Sequence, residues 1–96
     1  MEYLGMRYMV IENFRPGKVG EIYRRLEQRG RLMPAGLSYV GSWITDDLQR
    51  CYQVMECDDQ DLLEEWISQW ADLMDCEVVP VISSEEAKAK ALREGT

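Results

Sequence analysis

The sequence contains no histidine among its 96 residues. That removes Ser–His and Cys–His nucleophile pairs, histidine-ligated metals and a proximal haem ligand. It also lacks any CxxC spacing. Cys51, Cys57 and Cys76 stand apart, which argues against a disulfide framework and against a zinc site. Reduced thiols in the cytoplasm are expected. No run of about 20 apolar residues exists, so no transmembrane helix and no membrane partner are expected. Met1–Gly5 carries neither a basic start nor an apolar run, so no secretory signal is expected. Basic charge is missing from much of the second half, with no Lys or Arg between Cys51 and Ala87. Residues 1–50 hold eight Lys/Arg against six Asp/Glu, and residues 51–96 hold three against twelve, for a net charge of −7. A chain with this balance has no electrostatic footprint for nucleic acid.

The clearest signal that is present runs from Asp58 to Asp75, DDQDLLEEWISQWADLMD. Leu62, Leu63, Trp66, Ile67, Trp70, Leu73 and Met74 recur in steps of three and four, which makes one apolar stripe of a helix. Asp61, Glu64, Glu65 and Asp72 take the other side. Asp58 or Asp59 is placed to cap the first turn, where the helix dipole favours acids.

Before that helix, Arg7–Phe14 reads as a strand, with apolar residues on both parities. Arg15-Pro16-Gly17 makes a turn. Lys18–Arg29 then follows as a helix with a Val19, Ile22, Tyr23, Leu26 stripe, stopped by Gly30. Leu37–Ile44 and Arg50–Cys57 read as two further strands about a Thr45–Gln49 loop. Cys76–Ile82 is a fourth strand, expected at a sheet edge because Pro80 cannot donate to a ladder. Ser83-Ser84-Glu85-Glu86 is a capping-box pattern that opens a short tail helix to about Glu94. The last residues are expected to fray.

One domain over 1–96 is expected, with its core in 6–83 and the tail helix in 84–94. The order βαββαβ predicts an α+β, ferredoxin-like fold: a four-stranded antiparallel sheet with two helices on one face and a short C-terminal helix. The helices should lie antiparallel, bringing Arg24, Arg25, Arg29 or Arg31 toward Asp58–Glu65. The second sheet face, assigned Val10, Phe14 and Met55, is left uncovered. A homodimer is the expected remedy.

The segments YMVIENF, GRLMPAGLSYVGSW, RCYQVMECDD and EWISQWADLMDCEVVPVISSEEA resemble a bacterial domain-of-unknown-function family of the dimeric α/β-barrel superfamily. The resemblance implies a dimeric α/β barrel. That superfamily includes cofactor-free monooxygenases, muconolactone isomerases, haem-degrading enzymes and stress-responsive proteins, so the fold does not choose the function.

Within the strands, Glu12 and Gln53 are the polar exceptions. Met9, Ile11, Tyr52 and Val54 are the aliphatic or aromatic parity and are assigned to the helix-covered face. Glu12 and Gln53 then fall on the open face inside a dimer. They read either as a structural hydrogen-bonding pair or as a ligand-binding or acid/base pair, with Glu12 as the candidate base. Tyr39 and Trp43 share a parity in the second strand, and read either as the wall of that cavity or as ordinary packing. Cys51 reads as a small buried hydrophobe. No metal site and no cofactor are expected. The functional expectation is a module that binds or senses a small molecule. A cofactor-independent monooxygenase or isomerase is one alternative, and an acidic protein-interaction adaptor is another.

Overall fold

The computed structural model describes residues 5–94, so the expected fraying of Gly95 and Thr96, and the reading of Met1–Leu4, lie outside the described residues. The elements in chain order are β1 (Met6–Phe14), α1 (Val19–Arg29), β2 (Ser38–Ile44), β3 (Arg50–Cys57), α2 (Gln60–Ser68), β4 (Met74–Val81) and α3 (Ser84–Glu94). The strands form one antiparallel sheet in the order β2-β3-β1-β4. This is the ferredoxin-like α+β arrangement, with Pro80 on an edge strand as its missing N–H requires.

Local chemistry explains the boundaries. Gly30 ends α1 at φ 69° while its N–H still bonds Leu26 O at 2.8 Å. Asp59 caps α2 by accepting from Asp61 N at 2.9 Å. At α3, Ser83 N donates to Glu86 Oε1 and Glu86 N donates to Ser83 Oγ, both at 3.0 Å, which completes the reciprocal capping box.

The second helix is shorter than its apolar periodicity predicts. It ends at Ser68, and Gln69, Trp70 and Leu73 donate to carbonyls three residues back. This tighter winding keeps Trp70 and Leu73 turned inward. Met74 joins the sheet opposite Phe14, so β4 starts two residues earlier than expected.

The assignment of the sheet faces is reversed. Tyr8, Val10 and Met55 pack with Ile22, Leu63 and Trp66 in the main core, so the face carrying Val10, Glu12, Gln53 and Met55 is the one the helices cover. Phe14 packs against that core as well. Met9, Ile11, Tyr52 and Val54 lie on the open face, each only partly buried. Both parities of β1 and β3 are largely apolar, so a period of two does not distinguish them. The two polar exceptions go under the helices because a cavity and a cation meet them there.

The arginines of α1 also find a different partner. Arg25 makes a two-pronged contact with Asp72 at 2.9 and 2.7 Å and donates to Gln69 O at 2.8 Å. It therefore ties α1 to the segment after α2, where the sequence suggested the acids at the start of α2.

Candidate functional site

Glu12 sits mid-strand in β1, directly opposite Cys51 on β3 and Cys76 on β4. The three form a row across the sheet beneath the helices. Glu12 is 7% exposed and Gln53 4%. Burial is the main influence on Glu12 and raises its pKa from 4.5 to about 7, while a hydrogen bond from Cys51 and the charge of Arg31 work against that rise. Burial, followed by the nearby Glu12 charge, pushes the thiols of Cys51 and Cys76 up to about 12. Neither is a nucleophile near neutral pH.

Above this row is a cavity of about 150 Å³, bounded by the sheet, by α1 through Ile22 and Tyr23, and by Trp66 and Trp70. Glu12 and Gln53 line it from the sheet, and Arg31 lines it from the connector after α1. An apolar cavity of about this volume is large enough for benzene. Arg31 occupies the connector after α1, between Gly30 at φ 69° and Leu32 at φ 61°. Its backbone carbonyl accepts from both indoles, Trp66 Nε1 at 2.8 Å and Trp70 Nε1 at 3.1 Å. Its guanidinium lies 3.7 Å over the Tyr39 ring, and one nitrogen approaches Gln53 Oε1 at 3.4 Å. The Gln53 amide in turn points its nitrogen at Met55 Sδ, 3.4 Å away.

Of the four residues the sequence assigned to a ligand, Glu12 and Gln53 line this cavity. They are not bonded to each other: Glu12 takes its hydrogen bond from Cys51. Tyr39 stands behind the cavity, supporting Arg31 and bonding Ser42 Oγ at 2.7 Å. Trp43 is elsewhere. A β-bulge between Tyr39 and Gly41 shifts the register, so Tyr39 pairs on the helix-covered side while Trp43 faces outward beside Tyr52. Trp43 is 64% exposed. Parity counting fails across a bulge because the extra residue inverts every later side chain.

Arg31 is the cavity residue that the sequence reading passed over. The sequence groups it with Arg24, Arg25 and Arg29 as a partner for the acids of Asp58–Glu65. Its position just past a helix-stopping glycine was the available signal. Trp66 and Trp70, read as core, are core and cavity wall together. Cys51 is buried as expected, and it also serves as a hydrogen-bond donor.

Residues 6–94 match the family DUF3303, described as a domain of unknown function. The crystal structure of PA3566 from Pseudomonas aeruginosa is similar in fold, with a TM-score of 0.58 at 14% identity over 86% of this chain and 97% of that one. No curated protein matches the sequence. No helix among the described residues is long and apolar enough to cross a membrane.

Proposed function

Because this chain belongs to DUF3303, a family of domains of unknown function, its activity has to be read from its own cavity, and we propose that it is a small-molecule binding module. The observation that carries this reading is the convergence of Glu12, Arg31 and Gln53 on a space bounded by two indoles. Apolar walls with a few polar groups at fixed positions characterise ligand sites. The ligand lies between helices and sheet within one chain, and the reading assumes a reducing compartment such as the cytoplasm, given three free cysteines. Native mass spectrometry of protein purified without denaturation tests it. A mass increment that disappears in Trp70→Ala supports the module. Bare protein, together with no shift of cavity resonances in an NMR fragment screen, removes it.

One observation favours a catalytic version. A carboxyl with a pKa of about 7 has the balance of basicity and ionised fraction suited to proton transfer at neutral pH, and Arg31 is placed to stabilise a developing anion. In this version Glu12 is the general base of a cofactor-independent isomerase or monooxygenase. Glu12→Gln then abolishes turnover of a co-purifying compound while keeping its binding.

The partner we propose for the open face is a second copy. Met9, Ile11, Tyr52, Val54, Val79 and the exposed Trp43 make that face apolar. Arg7 with Glu56, and Arg50 near Glu77, place both charge signs at its rim, a distribution that supports an isologous contact with a second copy.

A further inference from the structure

We infer that the cavity takes a small planar carboxylate, a single ring bearing one acid group, gripped by Arg31 and facing Glu12. This rests on the binding-module reading and names the chemistry of its ligand. Arg31 is the first ground. Other arginines of the fold are committed: Arg25 to Asp72 and Gln69 O, Arg15 to Asp75 and Ala71 O, and Arg50 to Asn13 and Tyr52. Arg31 lines the cavity, is partly buried, and has no acid in salt-bridge reach among the described residues. Among the described residues its guanidinium makes one hydrogen bond, the long contact to Gln53 Oε1. The rest of the guanidinium fork is uncommitted, while its backbone is held by two indoles and its plane by Tyr39. A fork fixed in this way matches the two oxygens of a carboxylate.

Shape is the second ground. A volume of about 150 Å³ matches a single six-membered ring. Indole walls and a stacked guanidinium favour a flat occupant.

Glu12 supplies the third. A second carboxylate beside an ionised Glu12 would be repelled, but a protonated Glu12 donates a hydrogen bond to it. The groups facing Glu12 are Cys51 from β3, Cys76 from β4, Tyr23 from α1 and Arg31 from the connector. Burial raises both thiols and the Tyr23 phenol, while it brings the Glu12 carboxyl up to about 7. Binding of the carboxylate therefore holds a proton on Glu12 and weakens as pH rises.

The test is isothermal titration calorimetry with benzoate and with its neutral isostere benzamide, at about pH 6 and about pH 8.5, where proton-linked affinity falls by up to about tenfold per pH unit. Benzoate is expected to bind more tightly than benzamide at the lower pH and to lose at least about tenfold at the higher. Arg31→Gln is expected to remove the preference for benzoate. Arg31→Lys, which keeps the charge without the fork, should lose less, and Glu12→Gln should make benzoate affinity independent of pH. A urea transition for each variant confirms that it is folded. If benzamide binds as tightly as benzoate, or if folded Arg31→Gln and Arg31→Lys both bind benzoate like the wild type, the carboxylate assignment is overturned and the binding module stands. If neither probe binds, the carboxylate assignment is overturned, and the binding module is decided separately by native mass spectrometry and the fragment screen.

Discussion

Trp66 and Trp70 place their indole nitrogens on one atom, the carbonyl oxygen of Arg31, at 2.8 and 3.1 Å. The shared acceptor fixes a connector whose flanking residues, Gly30 and Leu32, both have positive φ. For Leu32 that conformation is unfavourable by roughly 1–2 kcal/mol, and the two donors help to offset it. The clamp thereby joins core packing to the aim of the Arg31 side chain.

Trp66→Ala removes a buried ring and one of the two donors, and should cost about 3–5 kcal/mol. Trp70→Phe keeps most of the bulk and leaves Arg31 O with one donor, so about 0.5–1.5 kcal/mol is expected. Urea unfolding measures both. Equal costs for the two variants would mean that the clamp has been misread.

The raised pKa of Glu12 sets the sign of a pH dependence. The unfolded carboxyl ionises near 4.5 and the folded one at about 7. Between those values the folded state binds more protons, so stability falls as pH rises through the window and is level beyond it. The total loss is roughly 3 kcal/mol at 1.36 kcal/mol per pH unit. Asp47, Asp72 and Glu86, whose pKa values are lowered by hydrogen bonds, act in the opposite sense and lose stability as pH drops toward their folded values. Glu12→Gln should remove the slope and be the more stable protein near neutral pH and above. An unchanged slope in the variant would assign it to another group.

Cys51 and Cys76, with pKa values pushed up to about 12, should resist iodoacetamide in the folded protein and react once it is denatured. Rapid native alkylation of Cys51, read by peptide mass spectrometry, contradicts the described burial.

Sedimentation tests the second copy. The wild type should sediment as a dimer, with an interface of more than about 1,000 Å² in total. Val54→Glu, which puts a charge near the middle of the open face, should give a folded monomer. A wild type that is monomeric at high concentration removes the second copy from that face.

The sequence shows the fold more plainly than the site. The element order is legible from the apolar periodicity of each segment, with Gly30, the cap at Asp58 or Asp59 and the Ser83–Glu86 box marking helix ends and Pro80 an edge, each a local feature with a local consequence. Glu12 and Gln53 were visible as polar interruptions of apolar strands. Which face they occupy was not visible, because Tyr8, Val10 and Met55 are as apolar as Met9, Ile11 and Val54. Trp43 was misplaced by one inserted residue, which strand parity cannot register. The role of Arg31 depends on tertiary contacts, to Tyr39 across the connector and to Gln53, Trp66 and Trp70 at 22 to 39 residues' distance in sequence, which no period of two or of three to four registers.

The two outer strands carry one further consequence. In β2 the bulge leaves Val40 without a partner, between Tyr39 opposite Met55 and Gly41 opposite Val54. In β4, Pro80 offers no N–H. Each rim of the sheet is thus interrupted along its length, and neighbouring chains are discouraged from zipping strand to strand into an endless ribbon. Growth is left to the broad apolar face. In the proposed pairing the two copies cover that face for each other, so growth by that route ends at a pair.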